Sequence, residues 1–136
     1  MMRKNEYINP FSEKAEMFAG ECDDAIIAKN TQKLNELIIK GLDIVEGFDQ
    51  VSQAKIYYAI GNCFSETAML SGNPHDDDSY ERQLYYIRKS IELTEKDELL
   101  RPEFLPYFLS FKPSLYTNYA NVLDHIGRKI AAIEQY

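Results

Sequence analysis

An all-α fold is predicted by three features of this sequence. Apolar residues recur at steps of three and four almost throughout. No stretch shows sustained alternation of apolar and polar residues between turn signals, as a half-buried strand would. Capping and breaking residues fall at intervals that suit helices joined by short connections.

The elements follow in order. Ala15, Phe18, Ala19, Cys22, Ala25 and Ile26 form the apolar stripe of a helix near 12–29. Asn30-Thr31 breaks it and can cap the next, near 31–46, whose stripe is Leu34, Leu37, Ile38, Gly41, Val45 and Phe48. Gly47 to Asp49 separates that helix from a third near 50–70, carrying Tyr57, Ile60, Gly61, Phe64 and Ala68. "SGNPHDDDS" (71–79) reads as a solvated loop, with Asp78 and Glu81 spaced as a capping box for a fourth helix near 79–96. That helix presents Leu84, Ile87 and Ile91. "RPEFLPYFLSFKP" (101–113) has three prolines, so at most a short helical turn from Glu103 to Ser110 is expected there. Pro113 suits the first turn of a fifth helix near 113–126, with Tyr116, Tyr119, Ala120 and Leu123 as its stripe. Gly127 and Arg128 form the expected turn into a sixth helix from 129 onward.

At 136 residues the chain forms one domain with a real core. A net charge of −7, from 22 acidic and 15 basic residues, argues against general nucleic-acid binding, which needs a basic field over the phosphates. No run approaches a membrane span and the start "MMRKNEYINPF" lacks a signal peptide's apolar stretch, so a cytoplasmic protein is expected. Two cysteines, Cys22 and Cys63, are too few for a disulfide framework and read as buried reduced thiols.

An internal repeat organises the chain. "YAIGNCF" (58–64) aligns with "TNYANVL" (117–123): Gly61-Asn62 answers Ala120-Asn121, Tyr57 answers Tyr116, and Phe64 answers Leu123. A small residue flanked by large ones a turn away is what two helices need where their backbones approach closely. The pattern resembles the tetratricopeptide repeat, which places an aromatic, a large-small pair and a second aromatic on its first helix and a small residue before an aromatic on its second. Tyr116, Tyr119, Ala120 and Leu123 match the first part, and Ala132 and Tyr136 the second. Residues 57–96 make an earlier copy, with Ile87 and Ser90 as packing positions on its second helix, Gln83 where a small residue is usual, and the 71–79 loop as an insertion of about ten residues. Residues 12–46 make a degenerate first copy without a Gly turn.

The resemblance implies a TPR-like α-solenoid of about three antiparallel helix pairs. The last pair stops at Tyr136 partway along its second helix, so 1–136 is expected to be the N-terminal part of a longer protein. "LYTNYANVLDHIGRKIAAIEQY" (115–136) is also similar to bacterial proteins in which such repeats precede a HEPN-type ribonuclease domain. That would make this chain a regulatory or sensor region. The Arg preceding a His by four to six residues in that nuclease motif is not found before His75 or His125.

The resemblance further implies a concave face lined by the first helix of each repeat. Asn62 and Asn121 hold equivalent places there, with Lys55, Tyr58, Thr117 and Asn118 nearby by helical spacing. Asn can pair with both the N–H and the C=O of an extended peptide. The competing reading is that these Asn belong to the repeat pattern and speak only of fold. Lys55 is the sole nearby cation for clamping a terminal carboxylate. His75-Asp76-Asp77-Asp78 lacks the spacing of a calcium loop. His125 reads as a helix C-terminal cap. "FLPYFLSF" (104–111) is either a buried connector or an exposed aromatic patch. No nucleophile–base arrangement, phosphate loop or HExxH motif occurs. The expectation is a protein- or peptide-binding scaffold without catalytic activity, cofactor or metal. Its open C-terminal face would offer a surface for self-association.

Overall fold

Helix α1 (Glu13–Ala28) starts where Ser12 accepts a hydrogen bond from the Ala15 N–H at 3.1 Å. The structure, a computed structural model, describes residues 11–70, 78–100 and 105–134, with side chains described over 11–70, 78–96 and 111–128. Helix α1 ends at Lys29, which adopts the left-handed conformation with φ 54°. The Lys29 N–H reaches the Ile26 carbonyl and the Asn30 N–H reaches the Ala25 carbonyl, each at 3.1 Å. This reverses the chain as a Gly would. Asn30 then caps α2 (Thr31–Ile44) by accepting from the Lys33 N–H at 3.1 Å. A 3₁₀ turn, Val45–Gly47, leads to α3 (Gln50–Leu70), and Gln53 donates back to the Phe48 carbonyl at 3.0 Å. Helix α4 is Ser79–Leu100 and α5 is Leu105–Glu134. Among the described residues there is no strand, and no helix is long and apolar enough to cross a membrane.

Pairwise contacts fix the helix directions. Ser12 donates to the Ser52 hydroxyl at 2.8 Å, Glu16 pairs with Lys55 at 3.4 Å, and Lys29 meets Glu66 at 4.0 Å. Both numbers rise together, so α1 and α3 run parallel. Contacts of Tyr58 with Phe111, and of Tyr58 and Asn62 with Asn118, set α5 parallel to α3 in the same way. Ser90 donates to the Ala54 carbonyl at 2.7 Å, Phe64 stacks on Tyr86, and Tyr80 reaches Met69, so α4 is antiparallel to α3. Three parallel helices therefore lie side by side, and α2 and α4 pack behind them.

The predicted stripes of the first four helices form the core. Phe18, Cys22, Leu34, Leu37, Ile60 and Cys63 are buried in one cluster between α1, α2 and α3. Gly41 marks its tightest point, since a Cβ there would sit 2.6 Å from Phe18 Cζ and 2.9 Å from Ile60. Gly61 is buried against α4, where a Cβ would meet Ile87 at 3.2 Å. Ile87 and Ser90 are fully buried. The Cys22 and Cys63 thiols are buried and free. Their mutual hydrogen bond, then burial, push the Cys22 thiol far above its usual range.

The region after α4 differs from the expectation. Helix α5 is one 30-residue helix containing Pro113 and Gly127, so the predicted turn at Gly127–Arg128 and the sixth helix do not form. Five helices, not three closed pairs, are described. Pro113 costs the hydrogen bond to the carbonyl of residue 109. Phe111 and Leu115 on either side offset this by burying with Phe11, Val51 and Ala54. The buried stripe of α5 is Phe111, Leu115 and Val122, with Asn118 and Ile126 half-buried. Most of the predicted stripe faces out: Ala120 is exposed, and Tyr116 and Leu123 are 39% and 41% exposed, while Tyr119 is half-buried. His125 cannot cap a C-terminus, because the helix continues past it; it stacks on Tyr80 with ring centroids 4.5 Å apart. The 71–77 part of the predicted loop, with His75, lies outside the described residues, as do the side chains of 104–110.

Candidate functional site

The parallel arrangement of α1, α3 and α5 brings polar side chains of α3 and α5 into one groove, closed on the α1 side by Ile26. A cavity of about 360 Å³ lies there, lined by Asn62, Ser65 and Glu66 of α3, Asn118, Asn121, Val122 and His125 of α5, Ile26 of α1 and Gln83 of α4. Helical spacing explains the set. Ser65 and Glu66 follow Asn62 by three and four residues, and Asn121 and His125 follow Asn118 and Asn121 by three and four, so each group shares a face.

The amides are partly ordered by one another. The Asn118 side-chain N–H₂ donates to the Tyr58 hydroxyl at 2.7 Å and to the Asn62 carbonyl oxygen at 3.1 Å. Asn62 is thereby held in one orientation from the neighbouring helix. Burial pushes the Tyr58 hydroxyl above its usual range and the Asp23 carboxylate adds to this, against hydrogen bonds with Asn62 and Ser114. Asn121 is exposed on the groove. Gln83, only 4% exposed, reaches the cavity from α4.

Of the six residues singled out from sequence, Asn62, Asn118 and Asn121 meet at the cavity, and Tyr58 joins them through Asn118. Lys55 and Thr117 lie outside the lining. The Lys55 ammonium pairs with Glu16 at 3.4 Å and sits over the Phe11 and Phe111 rings, 5.0 and 5.4 Å from their centroids. These contacts lie outside the cavity lining. Thr117 is exposed one turn before Asn121. Sequence reasoning missed Ser65, Glu66, Gln83 and His125. The i+3 and i+4 steps from Asn62 and Asn121 would have found three of these, but Gln83 comes from α4 and needs the tertiary packing.

A larger hollow of about 610 Å³ opens behind, between α2 and α4, over Ile38, Ile39, Leu42, Phe64, Tyr85 and Tyr86. Asn35, Asp78, Glu81 and Arg82 complete its lining, with Arg82 over the Phe64 ring. Among the described residues no group of three His, Cys, Asp or Glu side chains is placed to hold a metal ion. No family model, curated protein or solved structure matches this chain.

Proposed function

We propose that this chain is a tetratricopeptide-like scaffold that binds an extended protein or peptide segment in the groove formed by α1, α3 and α5, and that it has no catalytic activity of its own. The observation that carries this reading is the convergence of Asn62, Asn118 and Asn121, from two neighbouring parallel helices, on one cavity. Side-chain amides offer a donor and an acceptor together, which matches the N–H and C=O that an extended peptide repeats along its length. Asn118 orients Asn62 for this, and Asn121 is left to pair with the ligand. The side-by-side parallel helices with antiparallel helices behind them support the solenoid reading.

The test starts from peptides selected on the immobilised chain from a display library. Asn62→Ala and Asn121→Ala should each weaken the selected peptide by about 0.5–1.5 kcal/mol, while the melting temperature stays nearly unchanged. Affinity unchanged in the double variant, or lost only in step with melting, rejects the groove and leaves a scaffold with another surface at work.

A further inference from the structure

The groove reading says how a peptide backbone is held; the charges around the groove say which side chains it carries. Among the described residues no Lys or Arg lines the cavity, and Glu66 does, with its side chain only 18% exposed. Its nearest cation, Lys29, stands 4.0 Å away and 71% exposed, which is a weak, solvent-screened pair. Lys55, at the other end, is taken by Glu16 and the two phenylalanine rings. Between them α1 presents Asp23, one turn before the cavity residue Ile26. Asp23 is exposed and makes no ion pair among the described residues.

We infer that the segment bound in this groove is basic, with a Lys or Arg side chain received by Glu66 and Asp23 while Asn62 and Asn121 hold its backbone. This rests on the peptide-groove reading. An acidic segment, or a chain end presenting its carboxylate, would set like charge against Glu66 and Asp23, with no Lys or Arg among the described lining residues to answer it. The net charge of −7 adds a general attraction for a basic partner and speeds encounter without fixing where it docks.

Three labelled peptides of equal length, alternating Ala-Lys, Ala-Ser and Ala-Glu, are titrated with the full chain by fluorescence anisotropy. The Ala-Lys peptide should bind about tenfold tighter than Ala-Ser, with Ala-Glu weakest. Glu66→Gln and Asp23→Asn should each reduce that preference several-fold, whereas Glu36→Gln, on the exposed side of α2, should leave it intact. A loss at Glu36→Gln equal to that at Glu66→Gln means bulk attraction and overturns the assignment. So does tighter binding of Ala-Ser or Ala-Glu. If that tighter binding still falls with Asn121→Ala, the groove stands and only the basic assignment fails. If no peptide responds to Asn62→Ala or Asn121→Ala, the groove falls as well.

Discussion

Helices α3 and α5 carry the same run of residue types and meet opposite fates. Tyr57, Gly61 and Phe64 on α3 correspond to Tyr116, Ala120 and Leu123 on α5. On α3 this face is covered: Tyr57 and Phe64 stack on Tyr86 at 5.9 and 5.7 Å, and Gly61 packs against Ile87. On α5 it lies toward solvent, touched from one side by Arg88 over Tyr119 and by Glu95, which accepts from the Tyr116 hydroxyl. The difference is the helix that follows. After α3 the chain returns as α4; after Gly127 it continues straight. An apolar stripe in a repeat is thus a demand for a partner, and whether the partner arrives depends on a turn elsewhere in the chain.

Truncation at the corresponding large residues should separate the two faces most. Phe64→Ala is expected to cost about 3–5 kcal/mol through transfer and cavity terms. Leu123→Ala should cost about 1 kcal/mol or less, since the residue is already 41% exposed. Urea denaturation of both variants measures this, and equal losses would mean that the α5 face is covered in solution. Enlarging the small residues is the next contrast. Gly61→Leu must push into Ile87 and the Gln83 backbone and should destabilise by about 1–3 kcal/mol, whereas Ala120→Leu adds a side chain into solvent and should be near neutral. If a second copy covers the α5 face, Ala120→Leu will instead lower the mass measured by light scattering.

Gly127 decides between a turn and a continuous helix. Nothing lies within 4 Å of a Cβ built there, so Gly127→Ala should stabilise by about 1 kcal/mol through backbone entropy and helix propensity. A turn needing positive φ would make the same substitution destabilising, and the sign of the shift in denaturation midpoint settles it. The smallest effect is expected at Lys29, whose left-handed conformation a Gly adopts without steric cost. Lys29→Gly should gain up to about 1 kcal/mol, reduced by the entropy that Gly adds to the unfolded chain and by loss of the surface pair with Glu66.

The first four helices were legible because their local signals agree. Each has one apolar stripe, and Asn30 and the Gly47–Asp49 break mark ends at which nothing competes. The first hairpin lacked a Gly, yet Asn30-Thr31 still located it, because a cap and a left-handed Lys29 suffice to reverse the chain. Helix α5 was misread because it is apolar on two faces. One stripe runs through Phe111, Leu115 and Val122, and the other through Tyr116, Tyr119 and Leu123. Periodicity gives equal weight to both. The candidate site shows the same split: the three Asn were found from helical spacing and the repeat, while Gln83 and the commitment of Lys55 to Glu16 were not.

By itself the sequence determined the helical class, the limits of α1 to α3, the start of α4 and the core stripes of all four. Those properties follow from 3.6-residue periodicity and capping chemistry, which act within a few residues. Only the tertiary structure decided that α5 runs through Pro113 and Gly127, which of its faces is buried, and which polar residues share a cavity. Turn and helix differ at such residues by about 1–3 kcal/mol of local preference, and burial of Phe111, Leu115 and Val122 against α3 and α4 outweighs it.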